Sequence, residues 1–237
     1  MKKTEAIREL RAMGTAQTRK VYAQNGIRGD VYGVSCANLG KLAKKIKHDH
    51  QLAEQLWATG NHDARVLATM IADPQQITAR TLDTWVRDVD HHDIAAAFSG
   101  VARRARGAKA RTKKWIAARD EWKCTTGWDM LTGLAESDIF TDDELQDYIE
   151  VIEHSIHDSK NRVKYSMNNA VIAIGLRPKL RKTVIAAAKR IGKVEIDHGD
   201  TACKTLDALS TIAKTVAHRK DMAARRAKKK MARRGRG

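Results

Sequence analysis

The residues best suited to chemistry in this chain are its histidines and the carboxylates beside them. His91 and His92 stand among Asp88, Asp90 and Asp93, and neighbouring imidazoles and carboxylates can move protons where they face a cleft. The same run of Asp and His also caps helices, and its spacing does not select the catalytic use. A metal centre needs ligands from several elements. Glu153 and His157 share a helix face at i, i+4, while His48, His50, His62 and His154 are scattered, so no inward carboxylate set completes a di-metal site. The sequence predicts no metal and no cofactor. The segment GKVEIDHGDTACK at 192–204 lacks the strand-to-helix setting of a phosphate loop. It reads as an inter-helix loop capped by Asp200 or Thr201, with Lys204 at a helix start able to attract an anion.

The larger signal is charge. Among 237 residues, 45 are Lys or Arg and 28 are Asp or Glu, a net charge of +17. Such a field concentrates phosphates at the surface, so the expected partner is a polyanion, nucleic acid ahead of an anionic membrane. Residues 219–237 hold ten basic residues and one acid, against 35 and 27 in the rest, so the body is basic without its tail. That tail is poor in large apolar residues and is expected to be disordered, or to become helical on a polyanion. Between Ile94 and Arg119 there is no acid, but Arg103, Arg104, Arg106, Lys109, Arg111, Lys113 and Lys114 cluster around Gly107. This cluster is the first candidate phosphate-binding surface.

The elements that must position these residues are helical. Leu82, Trp85, Val86 and Val89, and again Leu145, Tyr148, Ile149 and Ile152, follow i, i+3, i+4, i+7 spacing. Ser35 is a cap for a helix to about Ile46, Asn61 for one to about Ala72, and Thr141 with Glu144 forms a capping box. Turn chemistry is confined to 26–34, 73–78, 97–108 and 192–201. Trp57, Trp85, Trp115, Tyr148 and Val184 recur roughly every 28–36 residues. Units of one aromatic-anchored outer helix and one inner helix suit a HEAT-like α-solenoid, and the spacing equally suits ordinary buried residues of a bundle.

At 42% hydrophobic and 31% charged the chain can bury a core, and it has no apolar run long enough for a membrane span. Cys36, Cys124 and Cys203 form no pair spacing, which predicts free thiols, a reducing compartment and a cytoplasmic protein. MKKTEAIRELRAMG carries charges through the would-be apolar core of a signal peptide and reads as a first amphipathic helix.

Residues 30–98 carry motifs in a distinctive order: GV followed by L and LAK between Gly33 and Lys44, LAEQLWATG at 52–60, HDARVLA at 62–68, then LDTWVRDVDHHDIAAAF. With NRVKYSMNNAVIAIG at 161–175, this resembles the AlkD-like DNA alkylation repair family over most of the chain outside the tail. The resemblance implies an all-α fold of antiparallel HEAT-like helix pairs, residues 1–217, with a concave basic groove for duplex DNA, and a separate basic tail, 218–237. It also implies removal of cationic alkylated purines such as 3-methyladenine and 7-methylguanine. Two tryptophans and an aspartate of the family line the cleft, where cation–π contacts and a carboxylate stabilise the sugar cation. It adds Arg65 and, at an inner helix start, Lys160, Arg162 and Lys164 to the candidate DNA contacts.

This chain departs from that pattern at the cleft. The first tryptophan aligns with His92, the catalytic aspartate with Ala96 and the second tryptophan with Asn169, and a basic residue expected after Trp122 falls on Cys124 or Thr125. Asp93 is retained. The expectation is therefore a DNA-binding solenoid, monomeric, without the standard excision chemistry. One alternative is an active glycosylase using Asp93 and His92 in changed roles. Another is a scaffold for protein or RNA.

Overall fold

Periodic apolar faces between strong caps leave this chain little choice but helix. The computed structural model describes residues 1–234, and these hold thirteen helices and no strand. They are α1 (Lys3–Met13), α2 (Ala16–Gln24), α3 (Cys36–Ile46), α4 (His50–Trp57), α5 (His62–Ile71), α6 (Ala79–Trp85), α7 (His92–Ala102), α8 (Ala108–Ile116), α9 (Glu121–Leu134), α10 (Asp142–Ser155), α11 (Asn161–Gly175), α12 (Arg181–Ile191) and α13 (Ala208–Arg234). Ser35 and Asn61 cap α3 and α5, and Thr141 with Glu144 closes the capping box of α10, as their sequence positions predict.

The helices form two layers. In the inner layer α3, α5, α7, α9, α11 and α13 lie side by side in that order, α4, α8, α10 and α12 back them, and α6 joins the backing layer through Trp85 against Trp57 and Phe98. The aromatic period falls on this outer layer. Trp57 stacks on Trp85 at 4.3 Å with an interplanar angle of 5°, and Phe98 of α7 bridges from them to Trp115 at 5.7 Å. The repeat spacing of the sequence is thus a spine of rings joining successive outer helices to the inner layer, the packing of a HEAT-like α-solenoid. Where α9 crosses α8 the backbones touch: a Cβ on Gly127 would lie 2.5 Å from the Ile116 nitrogen, so only glycine permits this approach.

Inner helices of successive pairs run in the same direction. At one end of the layer, His91 of the α7 cap lies 6.2 Å from Trp122 of α9, and the Glu121 carboxylate accepts the Arg162 N–H of α11. At the other, Arg177 beyond α11 donates to the Ala135 carbonyl beyond α9. The layer therefore has an N-terminal edge and a C-terminal edge, about 20 Å apart for a helix of 14 residues such as α9.

Three boundaries differ from the sequence reading. The turn expected over 97–108 begins only at Arg103, because Phe98, Val101 and Ala102 are buried and continue α7. The loop after α12 extends to Asp207, whose carboxylate caps α13 through the Ser210 N–H, so neither Asp200 nor Thr201 is the cap. The tail from 218, expected to be disordered or to become helical on a polyanion, is helical as far as Arg234. Its Ala, Arg and Lys are strong helix formers, and Asp221 pairs with Arg225 one turn on at 2.9 Å. Residues 235–237 of that tail lie outside the described part. No helix among the described residues is long and apolar enough to cross a membrane.

Candidate nucleic-acid interface

The HDAR motif is an anchor for the solenoid. Asp63 has 0% of its surface exposed, and its two oxygens accept the N–H groups of Tyr32, Gly33 and Val34 and the Tyr22 hydroxyl at 2.7–3.0 Å. One carboxylate thus satisfies a whole non-helical segment and ties α2 to α5. Arg65, expected to contact phosphate, lies 5.5 Å over the Trp57 ring, donates to the Asp88 carbonyl at 3.0 Å and pairs with Asp90 at 3.6 Å. Its cation is engaged within the fold.

The N-terminal edge carries a row of rings. His62 lies 5.9 Å from His91, which lies 4.0 Å from His92 and 6.2 Å from Trp122. His91 is the cap of α7: its Nδ1 accepts the Asp93 N–H and its Nε2 donates to the Asn25 carbonyl. His91, His92 and Asp93 are near enough to share an ion, but these two bonds leave His91 no free lone pair for one. Burial, reinforced by the neighbouring His91, lowers the His92 pKa to about 4, so its ring is neutral at pH 7. Asp93 sits half-exposed beside both rings, 3.3 Å from His92 Nε2.

Beyond the rings come the cations of α11. Lys160 is exposed at its N-cap and donates to the Arg119 carbonyl, whereas Arg162 and Lys164 are half-exposed and pair with no carboxylate among the described residues. The long loop after α12 is fastened to the same helix. Both amide atoms of Asn161 bond the Asp197 backbone, Asn168 donates to the Leu206 carbonyl, and a cleft of about 870 Å³ lies between. Lys204 lines that cleft rather than a helix start.

Along α7 the surface is floored by small residues. Ala96 is exposed, Ala97 and Gly100 are half-exposed, and a Cβ added to Gly100 would meet nothing within 4 Å. This face of α7 is therefore open to solvent. Asn169 is half-exposed on α11, while Cys124 and Thr125 are buried and Cys124 donates its thiol to the Ile116 carbonyl.

The basic run 103–114 is divided between two places. Arg103, Arg104 and Arg106 lie at the C-terminal edge, Arg103 across Gly133 of α9 where no side chain obstructs it, and Arg104 back on the Gly100 carbonyl. Arg111 donates to the Arg106 carbonyl and braces that turn. Lys109 and Lys113 belong to an outer helix and both grip Glu144, at 2.7 and 2.8 Å, while Lys114 faces Asp83 at 3.6 Å. Lys109 and Lys113 hold the Glu144 carboxyl down at about 2. The structure thus brings Arg162 near His92, keeps Lys160 beside Arg119 and Lys164 toward Glu195 in the first turn of the same helix, and places Arg103, Arg104 and Arg106 at the far edge.

One group escaped the sequence reading altogether. Asp129 of α9 sits against α11, where the Ser166 hydroxyl donates to it at 2.6 Å. Burial raises its pKa to about 6, and the Ser166 bond opposes the rise. A carboxyl raised in the folded state keeps its proton when the unfolded chain has lost its own. Stability therefore falls as pH rises from about 4 to about 6, and the cost is complete above that. Asp129→Asn is expected to remove this slope and to gain about 1–3 kcal/mol at pH 7, measured by urea unfolding across that range. No gain at pH 7 would contradict the assignment.

Comparison with known proteins agrees with this architecture. A solved structure with a TM-score of 0.84 and 30% identity covers 92% of this chain and 95% of its own. It is described as a new family of proteins related to the HEAT-like repeat DNA glycosylases with affinity for branched DNA structures. The uncharacterized proteins Lin0241 of Listeria innocua and Lmo0209 of Listeria monocytogenes are each 27% identical over 214 residues, covering 87% of this chain and 93% of theirs. A family model for DNA alkylation repair enzyme matches residues 6–207, that is, α1 to the end of the loop before α13. With the ring spine and the inner helices from α3 to α11 all in that match, the chain belongs to the DNA alkylation repair enzyme family.

Proposed function

We propose that this protein binds the phosphate backbone of duplex and branched DNA on the concave face of its inner helices and does not excise alkylated bases. The observation that carries this reading is Ala96, exposed on an open floor of α7 where the family resemblance puts the catalytic carboxylate. An alanine offers nothing to a developing sugar cation, and removing one electrostatic group of this kind costs about 100-fold or more. Asp93 lies nearly a turn away beside His92, and a neutral His92 adds no charge of its own. Binding, by contrast, keeps its means: Lys160, Arg162 and Lys164 are accessible at the start of α11, and the half-exposed Trp122 and His92 offer flat surfaces to bases and sugars. The affinity for branched DNA ascribed to the structural relative supports including branched forms. Protein bound to DNA would sit with the nucleoid in the cytoplasm.

The test is equilibrium binding of a linear duplex and a four-way junction at several salt concentrations. Each phosphate contact adds about −0.9 to the log–log slope, so a slope of about −3 or steeper is expected. Salt-insensitive capture of a protein partner, with no DNA affinity at low salt, would replace this reading with that of a scaffold.

A further inference from the structure

A second basic surface exists at the C-terminal edge, assembled from segments far apart in sequence. The end of α9 is where they meet. Arg103 lies over Gly133 in its last turn, and Arg219 of α13 forks onto Glu136 just past it, with Nη2 2.9 Å from Oε1. The course of α13 is set by Ile212, fully buried against Gly175 and packed near Val184. From Ala217 onward every described side chain of α13 is exposed, so the helix leaves the body at this edge.

The charge there is little compensated. Arg104, Arg106, Lys220, Arg226 and Lys228 are exposed and pair with no carboxylate among the described residues, and Arg226 follows Arg219 by two turns on one face. Of the acids nearby, Glu136 is taken by Arg219, Asp142 by Arg177 and Asp221 by Arg225, leaving Asp138 exposed between them. An open cleft of about 720 Å³ lies between Arg103, Arg104, Lys109 and Ile139. Cations just past the end of α7 do offset its dipole, but that local role accounts for neither the exposed helix nor its placement. The family model matches as far as residue 207, so the exposed stretch of α13 from Ala217 lies beyond the matched body.

We propose that this edge, Arg104 and Arg106 with α13, is a second phosphate-binding surface that holds another arm of a branched DNA while the concave face holds the first. The proposal rests on the DNA-binding reading above. A single duplex lying on the concave face can reach this edge only along its flank. A junction, however, carries its second arm to the second surface as an intramolecular step, at an effective concentration in the millimolar range.

The experiment compares a four-way junction with a linear duplex of the same total length, both labelled, binding to the full chain by fluorescence anisotropy. Two variants are used: Arg104→Glu with Arg106→Glu, and Lys220→Glu with Arg226→Glu and Lys228→Glu. All five side chains are exposed, so the fold should persist, and unchanged thermal midpoints check it. Each variant should weaken junction binding by about 10-fold or more and duplex binding by less than about 3-fold. Equal weakening of both DNAs, or no change in either, would overturn the second surface while leaving DNA binding intact. If the unaltered protein binds neither DNA, the reading of the concave face fails first and this one with it.

Discussion

Replacing Asp63 with alanine should destabilise the protein by about 3–5 kcal/mol, the largest loss expected from any single substitution here. The carboxylate is completely buried and three backbone N–H groups depend on it, whereas the Tyr22 hydroxyl also has the Val34 carbonyl at 2.6 Å. Removing it leaves those donors in an interior from which water is excluded, and each unsatisfied donor costs about 1–3 kcal/mol before relaxation. Asp63→Asn is informative because it keeps the volume. One end of the amide is then an NH2 group, which must face either the Tyr32 and Gly33 N–H groups or Tyr22 and Val34. Both placements oppose donor to donor, so a loss approaching that of alanine is expected. Urea unfolding of the two variants measures it. A loss under about 1 kcal/mol would mean that the 30–34 segment finds other partners.

The second large effect concerns binding. Changing Lys160, Arg162 and Lys164 together to alanine should weaken duplex affinity by roughly 500-fold at 0.1 M salt. Three lost contacts at −0.9 each change the slope by about 2.7, and the electrostatic gain is referred to 1 M. All three side chains are at least partly exposed on α11, and none carries a contact that builds the core. Folding should therefore be nearly unaffected. Binding across a salt series is the measurement, since loss of affinity without a shallower slope would mean that these residues act other than through phosphates.

Much of the architecture is legible in the sequence because it is written locally. Ser35, Asn61 and the Thr141–Glu144 pair mark helix starts within a few residues of themselves, and the recurrence of Trp57, Trp85 and Trp115 marks the outer layer. What is not legible depends on partners that only the fold supplies. HDAR reads as a family motif, but Asp63 acts on residues 29 to 41 positions earlier. The run 103–114 reads as one basic patch, yet α8 turns Lys109 and Lys113 toward Glu144, 31 residues beyond Lys113, and leaves Arg103–Arg106 at an edge. His91 and Asp93 permit both capping and proton transfer on paper. The Nδ1 bond to the Asp93 N–H makes His91 a cap. Asp129 and Ser166 are 37 residues apart, and no spacing rule joins them.

The central claim, binding without excision, is tested most directly by incubating the protein in excess with methylated duplex and junction DNA that it demonstrably binds. Free 3-methyladenine and 7-methylguanine are then quantified against the spontaneous rate. Binding with release no faster than in protein-free controls is the predicted result. Release well above those controls, lost in Asp93→Asn with binding retained, would contradict the claim and make Asp93 the carboxylate that does the work of the missing one.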